Sequence, residues 1–195
     1  GENQFMVKDF MSQLTQAKGR ADLTTENARL EIQNTYENIV SKYLLPSPLK
    51  KSVWLSEYVK GDVYLKLESL NPNGSFKVRG ALNAVSKLKE RLKHEDSSKP
   101  IKIAAASAGN HAQGVAFACK QLACAAHIFL PKQASLVKRD ATQKLGAQIY
   151  LAGENIEEAT QAALEFCEAK SAHFIHPFNN YDIIIGQGTC ALESY

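Results

Sequence analysis

The sequence predicts a doubly wound α/β fold built on a parallel sheet, and two observations carry that reading. Strand-like apolar runs alternate with runs of helical period from about residue 63 onward. Turns of small residues follow several of those runs, which right-handed crossovers would gather along one edge of the sheet. The composition agrees: 195 residues, 45% of them hydrophobic and 22% charged, suffice for one good core or two small ones and do not suit disorder.

Residues 1–23 hold only a weak apolar set (Phe5, Val7, Phe10, Met11, Leu14), which suits a docking helix or a tail. Thr24 and Thr25 are candidate N-caps of a helix reaching about Tyr43, with Leu30, Ile32, Tyr36, Ile39 and Val40 on one stripe. Pro46 and Pro48 stop it. Val63, Leu65 and Leu67 then alternate as in a strand, Asn71-Pro72-Asn73-Gly74 makes a turn, and Ser75 can cap a helix that turns Ala81, Leu82, Val85, Leu88 and Leu92 inward. Strands are expected at 101–106, 126–130, 148–151 and 173–176. Helices are expected from Asn110 to Leu122, after Pro131, from Asn155 to Lys170, and after Gly188.

Several function classes are set aside on composition. The net charge is +3, with 23 basic and 20 acidic side chains scattered along the chain, so nucleic acid is not implied. Lys50 and Lys51 read as a solvated loop. Cys119, Cys124, Cys167 and Cys190 contain no CxxC pair, so neither a metal site nor a disulfide framework is expected, and reduced thiols in the cytoplasm are the default. No run of about 18 apolar residues offers a membrane span, and the polar start Gly1-Glu2-Asn3-Gln4 is not a secretory segment.

Chemistry is expected at the turns, where ligands of open α/β sheets bind. Asn73-Gly74-Ser75-Phe76-Lys77 puts an amine in the first turn of a helix, where the dipole disfavours the ammonium form and partial burial beside Phe76, with Arg79 nearby, acts the same way. That suits Schiff-base chemistry; on spacing alone, the competing reading is a surface lysine snorkelling from its helix. Ser107-Ala108-Gly109-Asn110-His111 follows an apolar strand and opens a helix, a natural cradle for a carboxylate or phosphate. His111 reads as a hydrogen-bonding residue more than as a general base. Gly186-Gln187-Gly188-Thr189 reads as a third turn leading into a helix, without the third glycine of a dinucleotide fingerprint or the lysine of a P-loop. Glu68 and Glu193 are the acids beside these turns, and solvated or capping roles are expected for both.

Taken together, Ser47-Pro48-Leu49, Leu65-Lys66-Leu67-Glu68, Gly74-Ser75-Phe76-Lys77-Val78-Arg79-Gly80-Ala81, Ser107-Ala108-Gly109-Asn110-His111-Ala112-Gln113-Gly114, His176-Pro177-Phe178 and Gly186-Gln187-Gly188-Thr189 form a specific combination over about residues 44 to 195. It resembles the fold-type II pyridoxal-phosphate (PLP) enzymes related to the tryptophan synthase β subunit, most of all the threonine dehydratases. The resemblance implies that Lys77 holds PLP as a Schiff base and serves as base, that Phe76 packs on the pyridine ring, and that Asn110 bonds the ring hydroxyl oxygen. It also implies that the backbone amides of Ser107, Ala108, Gly109, Asn110 and His111 hold the substrate carboxylate.

The implied reaction is dehydration and deamination of L-threonine, or of L-serine, to 2-oxobutanoate or pyruvate and ammonia. Serine racemases look similar but carry a second serine where this chain has Ala108, which favours elimination here. By the same resemblance, residues 1–43 are an N-terminal tail and helix, 71–176 a small αβα domain, and 44–70 with 177–195 part of a larger one. The remainder of that domain, with its phosphate-binding loop, is expected outside this chain. A homo-oligomer acting on an amino acid, with no membrane or nucleic-acid partner, is the expected form; the rival is a truncated non-catalytic homologue that binds an amino acid or a protein.

Overall fold

The structure, a computed structural model, describes residues 25–93 and 99–194. The apolar set of residues 1–23 and the candidate cap Thr24 lie outside the described residues. Helix α1 runs Thr25–Asn38 and tightens into a 3-10 turn at Val40–Lys42, short of the expected end near Tyr43.

Two strands follow, β1 (Leu49–Lys51) and β2 (Tyr64–Lys66), antiparallel and separated by the short helix α2 (Val53–Val59). Ser52 caps α2 by accepting the Leu55 N–H, and Lys60 ends it in the left-handed region at φ 55°. Lys50 and Lys51 are therefore strand residues, not loop, although they stay exposed and Lys51 pairs with Asp62 at 2.6 Å. Trp54 and Tyr58 stack on α2 at 6.0 Å between centroids and stand 72% and 78% exposed. Val53 and Val59 of the same helix are exposed as well.

Helix α3 (Lys77–Arg91) leads into the main sheet, whose strands are β3 (Lys102–Ala106), β4 (Ala125–Leu130), β5 (Gln148–Leu151) and β6 (His173–Phe174). All are parallel in the order β5-β4-β3-β6, joined by helices α4 (Asn110–Gln121), α5 (Leu136–Lys144) and α6 (Ile156–Lys170). Alternation along β3 explains the two-sided burial. Ile103 and Ala105, with Ile128 and Leu130 of β4, share a core with Val115 of α4 and Val78, Leu82 and Val85 of α3. Ala104, Ala106 and Phe129 face Ala159 and Ala163 of α6. Sheets buried on both faces need such continuous apolar strands. The chain steps from β3 to β4 to β5 and then crosses back through α6 to place β6 on the far side of β3. The gap between β3 and β6 is thus a switch point of the topology, where ligands of such sheets bind.

The last helix, α7 (Tyr181–Leu192), corrects the sequence reading: Gly186 and Gly188 lie inside it, and it does not begin after them. Asn180 starts it, its side chain accepting the Ile183 N–H at 3.0 Å. The glycines serve close packing, not a turn. A Cβ on Gly186 would lie 2.6 Å from Gly80 Cα and 2.7 Å from Arg79 O, and one on Gly188 would meet Ile32 of α1 at 2.7 Å. Gln187 completes the seam by accepting the Gly80 N–H at 3.1 Å.

Replacing Gly186 by Ala is expected to cost about 1–3 kcal/mol in urea unfolding, because the added methyl meets backbone atoms of α3 that cannot rotate away. Gly61→Ala, with nothing within 4 Å of the new carbon, serves as the matched control with a midpoint close to that of the wild type.

Candidate active site

Lys77 opens α3. Its N–H donates to Ser75 Oγ at 3.0 Å and the Arg79 N–H to Phe76 O at 3.1 Å, so two of the four orphan donors of this helix end have partners, and Gln187 Oε1 accepts the Gly80 N–H just beyond them. Asn71 and Gly74 form the preceding turn, closed by Gly74 N–H to Asn71 O at 2.8 Å, with Gly74 at φ +69°. The half-buried Lys77 side chain reaches the loop after β6, where Nζ donates to Pro177 O at 3.0 Å and lies 5.4 Å from the Phe76 ring centroid. Its partner is a neutral carbonyl, so no ion pair holds the amine.

The loop after β3 stands at the same switch point. Gly114 of α4 lets the two backbones meet, since a Cβ there would come within 3.2 Å of Lys77 C and O. Of the five amides expected to hold a carboxylate, two are already engaged: Ser107 N–H donates to Phe129 O at 3.2 Å, and Gly109 N–H to Ser107 Oγ at 3.1 Å. The N–H groups of Ala108, Asn110 and His111 have no acceptor among the described residues and make a smaller cradle at the positive end of α4. The Asn110 and Phe76 side chains are exposed at its mouth.

Two histidines frame the amine. His111 is buried and its Nε2 bonds Ile175 O at 3.0 Å; the carbonyl can only accept, so Nε2 carries the hydrogen and Nδ1 is a bare acceptor, buried without a partner. Burial first, with Lys77 and His176 adding to it against the Ile175 bond, lowers its pKa to about 4, so the ring is neutral. His176 Nδ1 accepts the N–H groups of Asn179 at 2.8 Å and Phe178 at 3.3 Å, and burial with Lys77 nearby pulls its pKa down as well. Residues 175–177 therefore bind both His111, at the head of α4, and Lys77, at the head of α3.

The cluster behind Lys77 was not foreseen from the sequence. Arg79 is 0% exposed and cannot act on the amine as a free charge, because Glu68 and Glu193 clasp it. Nε and Nη2 reach Glu68 at 2.7 and 2.9 Å, while Nη1 and Nη2 reach Glu193 at 2.8 and 2.7 Å. Lys66 Nζ adds a bond to Glu193 at 2.7 Å, Ser47 N–H another at 3.0 Å, and Asn71 Nδ2 binds Glu68 at 2.8 Å. The solvated or capping roles expected for these acids are thus replaced by a neutral set of two cations and two anions. Burial raises the Glu68 pKa, but the bonds from Arg79 and Ser47 outweigh it and bring it to about 2; Glu193 is lowered in the same way by Arg79 and Lys66.

Among the described residues no group of His, Cys, Asp and Glu could hold a metal, and no helix is long and apolar enough to cross a membrane. The family described as "Pyridoxal-phosphate dependent enzyme" matches residues 40–195. The chain is 43% identical over 171 residues to an L-threonine ammonia-lyase of Thermotoga maritima, covering 88% of this chain and 40% of that protein. It superposes with a TM-score of 0.76 and 33% identity on the processed form of threonine deaminase isoform 2 from Solanum lycopersicum, covering 88% of this chain and 46% of that one. A PLP-dependent aspartate racemase is similar too, with a TM-score of 0.76, 31% identity, and coverage of 85% and 50%. The chain thus spans about half the length of the proteins it matches, or somewhat less.

Arg79→Leu leaves two carboxylates without their main partner and is expected to cost about 3–5 kcal/mol in urea titrations, with Arg79→Lys recovering only part. Acid is expected to destabilise the protein in two overlapping windows. The unfolded chain binds more protons than the folded one at His111 between pH 6.5 and about 4, and at Glu68 between 4.5 and about 2, so stability is present above each window and lost as pH falls through it. Urea midpoints across pH 7 to 3 check this, and Glu68→Gln is expected to remove part of the slope below 4.5.

Proposed function

Since the chain belongs to the pyridoxal-phosphate dependent enzyme family, we propose that it forms the lysine-bearing and carboxylate-binding half of a threonine dehydratase, acting on L-threonine and on L-serine. The observation that carries this reading is the shared anchoring of an amine and an anion cradle: Lys77 Nζ rests on Pro177 O, and the head of α4 is tied through His111 to Ile175. The residues fit the cofactor. Lys77 has an amine that no carboxylate claims, Phe76 offers an exposed ring beside it, and the exposed Asn110 side chain stands at the mouth.

In this reading Lys77 Nζ, Phe76 and Asn110 hold the cofactor, which when bound supplies an electron sink for the charge left at the substrate α-carbon. The Ala108, Asn110 and His111 N–H groups hold and orient the substrate carboxylate. Lys77 Nζ would be the base that takes the α-proton. The β-hydroxyl then departs as water, and water returns when the nitrogen leaves as ammonia, so L-threonine yields 2-oxobutanoate and ammonia in balance. Neutral His111 and His176 keep further positive charge away from the amine while it acts as a base. Ala108 offers no hydroxyl to return a proton from the opposite face, which supports elimination over racemisation.

We assign residues 71–176 to a small αβα domain and 44–70 with 177–195 to part of a larger one, bridged by Arg79. The four unbridged thiols support a cytoplasmic setting, and the exposed Trp54–Tyr58 surface supports association into a homo-oligomer.

Adding PLP to the purified chain, followed by borohydride reduction and peptide mapping, is expected to fix the cofactor to Lys77, and Lys77→Ala to abolish both the bound visible absorbance and the label. Label scattered over surface lysines would instead favour a non-catalytic homologue. Light scattering is expected to show a species larger than the monomer, returned to monomer by Trp54→Lys with Tyr58→Lys.

A further inference from the structure

Helix α4 ends in a Schellman motif whose two paired positions are both cysteines. Leu122 is its C-cap, Ala123 takes the left-handed conformation at φ 53°, and the Cys124 N–H donates to Cys119 O at 2.9 Å. In this motif a side-chain contact between the residues joined by that bond is frequent. The bond also caps the separation of the two Cα atoms at about 6.8 Å from standard backbone lengths, inside the roughly 4.4–6.8 Å span of disulfides. Cys119 is buried and Cys124 half-buried in the same core, and none of the four cysteines is in a disulfide.

We propose that Cys119 and Cys124 are a reversible redox pair, which a peroxide converts to a disulfide across the C-terminal end of α4. Cys124 is the thiol that reacts first. It is the more accessible, and its Sγ and the Lys89 ammonium both donate to Leu122 O, at 3.6 and 2.6 Å, which brings a positive charge beside the sulfur. Burial raises both thiols, Cys119 far more strongly, while Lys89 opposes the shift at Cys124. Its thiolate attacks one peroxide oxygen, breaking the O–O bond to give a sulfenic acid and, with a proton, water. Cys119 sulfur then attacks Cys124 sulfur, and the hydroxide that leaves takes the Cys119 proton. Two thiols and one hydrogen peroxide thus give one disulfide and two waters, and a dithiol reverses the change.

The test is hydrogen peroxide treatment of the full chain, thiol counting under denaturing conditions, and tryptic mapping without reductant. Two of the four thiols are expected to disappear, peptides 103–120 and 121–132 to be recovered joined with the loss of two hydrogens, and dithiothreitol to restore all four. Cys124→Ser, a substitution at a half-buried position outside the Lys77 site, is expected to give no joined peptide. An unchanged thiol count, a bridge to Cys167 or Cys190, or over-oxidation of Cys124 with the peptides still separate would each overturn the proposal.

Discussion

A guanidinium with no exposure to water has to find its counter-charges inside the protein, and Arg79 sets the arrangement of three chain segments by doing so. Glu68 brings in the end of the β1–β2 unit, Glu193 brings in α7, and Arg79 itself rides on α3 two residues after Lys77. Lys66 makes the group neutral overall. Removing any one member leaves a buried charge unmatched, so the cluster acts as a geometric constraint more than as a source of net stability.

The packing around it serves the same end. Gly80 and Gly186 let α3 and α7 approach to backbone contact, which holds the first turn of α3 in place from behind. Gly114 does the same from the side of α4. Lys77 and the Ala108, Asn110 and His111 amides therefore sit at helix starts held by backbone packing, beside the switch point between β3 and β6.

Much of the sheet was legible because its signals are local. The apolar runs at 101–106 and 148–151 and the helical period from Asn155 place their elements within a residue or so, because such patterns act over a few positions. The start of α7 was misread because glycine is ordinarily a breaker, and nothing in the sequence near Gly186 tells that α3 lies against it. The short α2 was missed between two exposed strands. The cradle positions were legible as a helix start after a strand, but the use of Ser107 Oγ to occupy Gly109 N–H is a fine point of loop conformation. Arg79 offered one usable signal: a charge within Val78-Arg79-Gly80-Ala81-Leu82, an otherwise apolar stretch, demands a partner. Its acids lie 11 and 114 residues away, which no local pattern can identify.

That last separation bears on the order in which the molecule assembles. The strands and helices from β3 to α6 close over short sequence intervals and can form early, whereas the Arg79–Glu193 pairing closes a long loop and comes late. Until α7 docks, the guanidinium has half its counter-charge and its flank lies open to water. The N-terminal turn of α3, and with it the position of the Lys77 amine, thus depends on this long-range pairing. A vectorially synthesised chain would keep this corner plastic until Glu193 has emerged.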